Sequence, residues 1–403
     1  MRVLSSELPA HVGERVTMAG WLHAKRELGA VTFVILRDRA GLAQIVAEPP
    51  VELSPETVLE VDGFAVAAEQ APGGVELQEP SFRVLSEPAE QPPLELRRPV
   101  LKESLPTLLD HAPLAWRHPG ERAKLAITAA SVAGFRRALD GLGFTEISTP
   151  KIVASATESG ANVFRLDYFG RQAYLAQSPQ FYKQTMVGVF ERVYETGKVW
   201  RAEPHETGRH LAEYTSLDAE LGFIRDHFDV MAVVREALAG MIEGIRERVP
   251  GVVELPEVPG EIPWVHFSET GVDDIDLAPV DERRLCEEHG EWLFVTGFPA
   301  AKRPFYTHPE PGRPEYTNSF DLLFRGIEIV TGGQRLHRYE DYLSALAGHD
   351  VEPLSGYLDC FRYGMPPHGG FAIGLERFVA GLVGAANVRE VTLFPRDLNR
   401  LTP

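Results

Sequence analysis

The sequence predicts an α+β chain of more than one domain. A small N-terminal β-barrel is followed by a larger domain built on an antiparallel sheet flanked by helices. Three observations predict this. About five short β-rich segments fill roughly the first 85 residues. A proline-rich stretch then interrupts the pattern. Beyond it, strand and helix patterns alternate without the regular βα repeat of a doubly wound sheet. A length of 403 residues is itself too great for one ordinary core.

Composition narrows the class. A hydrophobic share of 44% and a charged share of 24% match globular proteins with a substantial core. No apolar run approaches the ~20 residues that span a bilayer. The N-terminal MRVLSSELPA lacks the basic-then-apolar pattern of a secretory signal. Cys286 and Cys360 are the only cysteines and form no CxxC, so neither a disulfide framework nor structural zinc is expected. The simplest location is the cytoplasm. A net charge of −18 argues against indiscriminate polyanion binding, yet a local basic face can still serve a nucleic-acid partner.

The elements follow in order. Val16–Leu22 alternates roughly, Val31–Leu36 is β-rich, and Leu42–Val46 follows a turn at Gly41. Val61–Ala67 and Val75–Leu77 flank the turn Pro72-Gly73-Gly74, and Phe82–Leu85 closes the set. Over residues 1–86 this fits a closed barrel of the oligonucleotide-binding type (an OB-fold), although spacing alone leaves a small β-sandwich open. Residues 87–119, with Pro88, Pro92, Pro93, Pro99, Pro106, Pro113 and Pro119, read as an interdomain hinge.

Residues 120–403 form the second domain. Leu125, Val132, Phe135, Leu139 and Leu142 recur at helical spacing until Gly141 and Gly143 stop the helix. Phe144–Ile147 then enters a strand that ends at Pro150. Further strands are expected at Arg192–Trp200, Thr215–Phe223, Trp292–Thr296, Ser319–Phe324, Ile327–Val330 and Gly369–Ile373, several of them consecutive and so antiparallel. Asp229–Arg248 is an amphipathic helix for the sheet's flank. Neither GxxxxGK[ST] nor GxGxxG occurs, which disfavours the parallel-sheet nucleotide folds, and there are no internal repeats.

Two arginine motifs carry the chemistry. Trp200-Arg201-Ala202-Glu203 is followed by Arg209-His210-Leu211-Ala212-Glu213-Tyr214, and Gly374-Leu375-Glu376-Arg377 lies far downstream. Each places a permanently charged guanidinium beside carboxylates or glycines. Such arginines can grip a polyphosphate through forked hydrogen bonds while carboxylates hold a divalent cation. A single such arginine would more often be a surface ion pair; two motifs in this order point to one nucleotide.

These residues resemble the signatures of the class II aminoacyl-tRNA synthetases. The helix and strand ending at Pro150 resemble the first, Arg201-x-Glu203…Arg209-His210 the second, and Gly374–Arg377 the third. An N-terminal oligonucleotide-binding barrel resembles the aspartyl, asparaginyl and lysyl subgroup. Gln177–Gln184 is similar to the aspartyl amino-acid-binding segment, where asparaginyl members usually lack a lysine at the position of Lys183. Tyr363–Phe371 and Phe394–Asp397 resemble the compact archaeal-type aspartyl form, and the spacing from Glu220 to Gly374 leaves no room for a large insertion.

The resemblance implies a homodimer, built partly around Pro150, that joins L-aspartate to ATP and passes aspartyl to tRNA. It implies that Arg201 bridges the aspartate carboxylate and the α-phosphate, that Glu203 meets the adenine amino group, and that Arg209 and His210 hold the terminal phosphates. Arg377 covers the nucleotide from the other side, with Leu211, Gly374, Leu375 and Glu376 beside it. Glu328 matches a Mg2+ ligand, with Thr331 standing where serine is commoner; a plain ion pair of Glu328 with Arg325 is the alternative. Lys183 and Arg335 match the pair that binds the aspartate side chain. Asp218 or Glu158 matches the anion for its α-amino group, and Ser178 and Gln180 add neutral hydrogen bonds. His368 is equally readable as part of that pocket or as a structural hydrogen-bonder.

In the barrel, Lys25, Arg26, Arg37 and Arg39 form a basic set around Phe33, the usual physics for an unstacked base and its phosphates. Phe33 and Gln44 are similar to positions that hold the middle anticodon base, though Phe33 could instead be barrel core. Strict tRNA-Asp members carry tryptophan at the position of His23 and lysine at that of Pro72. His23 and Pro72 themselves resemble the non-discriminating members, which also aspartylate tRNA-Asn and supply an Asp-tRNA-Asn amidotransferase. The competing readings are a strictly discriminating aspartyl enzyme, an asparaginyl enzyme or synthetase-derived asparagine synthetase, and an inactive synthetase-like RNA-binding protein. Lys183 opposes the asparaginyl enzyme and the intact barrel the derived asparagine synthetase; the presence of Arg201, Glu328 and Arg377 together opposes the inactive protein.

Overall fold

The computed structural model describes residues 2–154, 162–204, 207–348 and 351–403. Two compact units divide the chain, Met1–Arg122 (with Pro403) and Ala123–Thr402.

The first unit contains β1 (Arg15–Leu28), β2 (Val31–Arg37), β3 (Leu42–Ala47), β4 (Val58–Ala67) and β5 (Val75–Ser86), closed into a barrel in the order β1-β2-β3-β5-β4. Closure excludes the sandwich left open by spacing. Alternate residues point inward, so Met18, Leu22, Val34, Leu36, Ile45, Leu59, Val61 and Leu77 are fully buried. The two expected segments Val75–Leu77 and Phe82–Leu85 are one strand. Between them the β4–β5 register shifts, with Glu79 at φ 50° and Pro80 beside it, so the residue lacking an N–H sits where the ladder is already broken.

The proline-rich stretch is more than a linker. It holds α1 (Leu105–Asp110) and α2 (Ala112–Ala115), and Leu94, Leu96, Leu101 and Ala115 pack into a small core of their own. Proline stands at the first turn of both helices and opens α3 (Pro119–Gly141), where a missing N–H costs nothing. Several prolines thus start helices rather than break them.

In the second unit an eight-stranded sheet contains β6 (Thr145–Glu146), β10 (Arg192–Trp200), β11 (Glu213–Gly222), β12 (Trp264–His266), β13 (Trp292–Thr296), β16 (Ser319–Phe324), β17 (Ile327–Gln334) and β18 (His368–Gly374), in the order β12-β13-β16-β17-β18-β11-β10-β6. The interior pairs are antiparallel as expected; the edge pairs β6–β10 and β12–β13 are parallel. Smaller sheets comprise β7 (Ile152–Val153), β8 (Arg165–Tyr168) and β9 (Arg171–Leu175), and β14 (Pro309–Glu310) with β15 (Arg313–Thr317). Further helices are α4 (Gln180–Phe190), α5 (His227–Arg248), α6 (Pro279–His289), α7 (Tyr339–Ala345), α8 (Ser355–Arg362) and α9 (Leu375–Val383).

Asp226 caps α5 by accepting from Phe228 N–H, two residues ahead of the expected start. The helices α3 and α5 approach closely through glycine: a Cβ on Gly134 would lie 2.1 Å from the carbonyl oxygen of Gly240. Phe135, Leu139, Val230, Val234, Leu238 and Met241 join Leu217, Phe320, Phe371 and Ile373 of the sheet in one core. Among the described residues no helix is long and apolar enough to cross a membrane.

Candidate active site

Antiparallel pairing lines up the floor of the site. Asp218 of β11, Ala372 of β18, Thr331 of β17 and Asp321 of β16 are successive Cα partners across four strands. Two residues along, Glu220 pairs with Gly370, Gly370 with Gly333, and Gly333 with Ser319. Because strand side chains repeat every two residues, both rows face the same side. Glycine is required at Gly370, where a Cβ would stand 2.0 Å from Glu220 Oε2.

A cavity of about 320 Å³ stands over this floor, lined by Arg201, Glu203, Arg209, His210, Glu328 and Arg377 among others. The two arginine motifs therefore meet, although 168 residues separate Arg209 from Arg377, whose Nε donates to the Arg209 carbonyl at 3.5 Å. Arg377 Nη1 lies 3.3 Å from Glu328 Oε2. Glu203 lies 3.7 Å from both Arg201 Nη1 and His210 Nε2. Leu211, Gly374 and Glu376 also line the cavity, whereas Leu375 lies in the hydrophobic core. Glu376 accepts twice from Thr215 N–H at 3.0 Å, tying α9 to β11.

Glu328 does not pair with Arg325, which binds Glu291 instead. Thr331 Oγ1 donates to Glu328 Oε1 at 3.0 Å. Burial pushes the Glu328 carboxyl up, but Arg377 and Thr331 outweigh it and hold it below the usual range. Asp321 moves the other way: burial, with repulsion from Glu328, pushes it up to about 6 despite Arg303 at 2.9 Å. Two carboxylates held against each other beside a hydroxyl fit Mg2+, which takes few protein ligands and completes its shell with phosphate oxygens and water.

The deeper subsite is nearly sealed. Lys183, from the first turns of α4, is 1% exposed, with Nζ 3.0 Å from Asp218 Oδ1, 3.1 Å from the Phe371 carbonyl and 3.3 Å from Glu220 Oε2. Arg335 donates from Nε to Glu220 Oε1 at 2.9 Å and from Nη2 to Gly370 O at 3.1 Å and Gln180 Oε1 at 3.4 Å. Ser178 Oγ accepts from Gln180 N–H at 3.3 Å, and Ser216 Oγ donates to Asp218. Burial opposes ionisation of Glu220, yet Arg335 and Lys183 hold its carboxyl below the usual range. Two cations and two carboxylates thus balance in a buried pocket. Glu158 lies outside the described residues.

Comparison with known proteins gives the family. Residues 104–398 match the family described as tRNA synthetases class II (D, K and N), and residues 16–85 match an OB-fold nucleic acid binding domain. The chain belongs to the class II tRNA synthetases of the D, K and N family. It is 47% identical to proteins of Deinococcus radiodurans and Thermus thermophilus, each named aspartate--tRNA(Asp/Asn) ligase, covering 100% of this chain and 99% and 100% of theirs. It also superposes on the asparaginyl-tRNA synthetase of Pyrococcus horikoshii complexed with asparaginyl-adenylate, with a TM-score of 0.93 and 30% identity over 100% of both chains.

Several residues of this synthetase's site escaped the sequence reading. Glu220 carries no motif of its own, though Gly369-Gly370 opposite it signals a close approach. Asp321 sits in the apolar strand pattern Ser319–Phe324 and looks like ordinary β-sheet. Glu282 comes from α6, which the pattern reading missed; it holds Arg209 Nη1 at 2.7 Å and accepts from the Glu328 N–H at 3.1 Å. The C-terminal segment braces the arginine loop, through Ala212 N–H to Arg396 O at 2.8 Å and Arg389 Nη1 to Thr207 O at 3.0 Å. Glu195 accepts from Thr149 N–H at 3.0 Å and pairs with Lys151 Nζ at 2.9 Å, fixing both sides of Pro150.

In the barrel, register places Arg26 beside Phe33 and Ile35 beside Gln44 on the outer face. Phe33 is half-buried there and takes no part in the barrel core. Gln44 Nε2 donates to Glu76 Oε2 at 2.9 Å. His23 sits where the β1–β2 register shifts, its Nδ1 3.2 Å from Arg37 Nη1. Arg37 corrects an expectation. It is 3% exposed and doubly bonded to Glu56 at 2.8 Å, so it is a buried strut and not part of a phosphate-binding set. Pro72 begins the 3-10 turn that leads into β5.

Proposed function

We propose that this synthetase activates L-aspartate with ATP and transfers the aspartyl group to both tRNA-Asp and tRNA-Asn. The observation that carries the reading is the buried pair Lys183 and Arg335, both held by Glu220, beside the cavity of the two arginine motifs. Two cations suit a side-chain carboxylate. Asparagine has nearly the same shape, but it would leave desolvated charge unanswered, at a cost of several kcal/mol.

The mechanism follows from what each side chain can hold. Asp218 and Ser216 receive the α-amino group, with Ser178 and Gln180 alongside. Arg201 holds the α-carboxylate against the α-phosphate, two anions that otherwise repel. A carboxylate oxygen attacks phosphorus, the bond to the β-phosphate bridging oxygen breaks, and pyrophosphate leaves with the electron pair. Arg209, His210 and Arg377 stabilise the charge that accumulates on the phosphates. Glu328, Asp321 and Thr331 would hold Mg2+, which supplies charge neutralisation to the phosphate oxygens when bound. A tRNA terminal ribose hydroxyl then attacks the aspartyl carbonyl carbon, the bond from that carbon to the adenylate oxygen breaks, AMP departs with the electron pair, and the hydroxyl proton is released to solvent.

The tRNA assignment rests on Arg26, Phe33 and Gln44 for the anticodon and on His23 and Pro72 for tolerance at its last base. Relatives named for both tRNAs support it. A homodimer is supported by exposed apolar side chains: Ile152 close to Pro150, and Phe190 and Phe223, whose neighbours Glu191 and Gly222 are hydrogen-bonded at 2.9 Å. A cytoplasmic location and service to an Asp-tRNA-Asn amidotransferase complete the reading.

Purified protein with magnesium is expected to exchange labelled pyrophosphate into ATP when given aspartate and not when given asparagine. Exchange with asparagine alone would select an asparaginyl enzyme, and none with either amino acid would refute the activation chemistry.

A further inference from the structure

Behind the amino-acid subsite lies a sealed polar cluster that the mechanism above does not use. Gln184 and His368 are both 0% exposed, as is Tyr342, and Tyr357 closes the group. Each hydrogen bond in it constrains the next. His368 Nδ1 lies 2.9 Å from the Pro366 carbonyl, which can only accept, so Nδ1 carries the proton. His368 Nε2 lies 3.0 Å from Gln184 Nε2, so in the neutral ring it is the acceptor and Gln184 donates. Gln184 Nε2 also donates to Tyr342 Oη at 3.1 Å, and Tyr342 Oη lies 3.0 Å from the Leu336 carbonyl.

That fixes which way the Gln184 amide points. Its Oε1 accepts from Tyr357 Oη at 2.9 Å and from Gln180 Nε2 at 2.9 Å. Gln180 is thereby oriented with Oε1 toward Arg335 Nη2. A flip of Gln180 would set donor against donor at the guanidinium and acceptor against acceptor at Gln184. A chain of forced orientations therefore runs from the Pro366 carbonyl to the cation that meets the substrate.

We propose that His368 and Gln184 are positioning residues for amino-acid selection: a neutral Nδ1–H imidazole sets the Gln184 amide, which sets Gln180, which holds Arg335 for the aspartate side chain. The inference rests on the aspartate reading of the Lys183–Arg335 pocket. In this arrangement His368 stands one layer behind the pocket, bonded to Gln184 and the Pro366 carbonyl. Protonation of His368 would turn its Nε2 into a donor facing the Gln184 amide N–H and break the chain. The surroundings oppose protonation. Burial is the main cause, Arg335 and His337 add to it, Glu220 works against it, and the ring is pushed down to about 4.

The test is Gln184→Glu, nearly identical in shape, which places an acceptor-only carboxylate against His368 Nε2. A carboxylate raises the His368 pKa, and the protonated ring can then donate to it. Aspartate binding in the variant is therefore best below the raised pKa and lost as pH rises through it. We expect the KM for aspartate to be about tenfold above the parent at about pH 8 and to fall toward acid, while the KM for ATP stays within about twofold. The parent should be flat between about pH 6 and 8. An aspartate KM equal to the parent's with the same flat profile overturns the proposal, as does an equal loss for ATP, which marks general damage. Should the variant not fold, imidazole 15N shifts of the parent decide. A neutral Nδ1–H tautomer for His368, assigned by its loss in His368→Asn, supports the proposal; a cation or an Nε2–H tautomer at about pH 7 overturns it. Failure of the parent itself to exchange pyrophosphate with aspartate would instead count against the underlying function.

Discussion

Lys183→Leu is expected to lower aspartate-dependent pyrophosphate exchange by about a thousandfold or more in kcat/KM. Lys183 is a buried cation between Asp218 and Glu220, and leucine removes half the charge that the proposed mechanism offers the substrate carboxylate. It also leaves two carboxylates facing one another without their shared lysine. Breaking such a buried pair costs on the order of 3–5 kcal/mol of stability. The variant's melting temperature must therefore fall together with its activity. ATP affinity separates the causes: Arg201, Glu203, Arg209 and Arg377, the residues proposed for the nucleotide, line a cavity that Lys183 does not line. ATP binding by a folded variant should stay within about threefold of the parent. Unchanged aspartate kinetics would remove Lys183 from the pocket.

Arg201→Ala is expected to lose about two to three orders of magnitude in kcat for exchange, with a smaller change in the KM for aspartate. In the proposed mechanism Arg201 serves the step in which carboxylate and phosphate approach, so its contribution should grow as charge redistributes in the transition state. Its backbone N–H is held by Ala212 O at 2.9 Å, and its guanidinium lies over Tyr214 at 5.8 Å. Alanine keeps the backbone bond and gives up only contacts of a part-exposed guanidinium, to Tyr214 and to Glu203 at 3.7 Å, so stability should change little. A variant with near-parental kcat but a raised KM for ATP alone would reduce Arg201 to a binding residue.

The sequence made legible the parts of the fold with strong local periodicity. Arg192–Trp200, Trp292–Thr296 and Ser319–Phe324 are expected and observed with the same bounds, because β-rich runs end there at turns. The long helix ending at Gly141 was equally plain. Elements without such signals were lost: α6 is mostly charged, with a single apolar stripe through Leu285 and Cys286, and β14 has two residues. The site's outline was readable because arginines, glycines and carboxylates at fixed spacing carry chemistry. Its inner layer was not. Glu220, Gln184 and Asp321 acquire meaning only from cross-strand register and from a helix packed over the sheet. Arg37 shows the converse error: a basic residue near a nucleic-acid face looked like a phosphate ligand, and burial against Glu56 made it a strut.

The apolar neighbourhood of the site explains why so few charged residues suffice. Lys183, Asp218, Glu220 and Arg335 sit on a floor whose other face is the Leu217, Phe320, Phe371 and Ile373 core. In such surroundings each charge is weakly screened, and a mismatch of one unit is severe. The same physics applies to the Asp321–Glu328 pair and to the neutral His368 behind Gln184.

The central claim is that one enzyme activates aspartate and delivers it to two tRNAs. Its most direct test is charging of separately transcribed tRNA-Asp and tRNA-Asn with labelled aspartate by the purified protein. Both are expected to accept, and His23→Trp combined with Pro72→Lys is expected to suppress charging of tRNA-Asn while keeping that of tRNA-Asp. Charging of tRNA-Asp with none on tRNA-Asn by the parent protein would contradict the account.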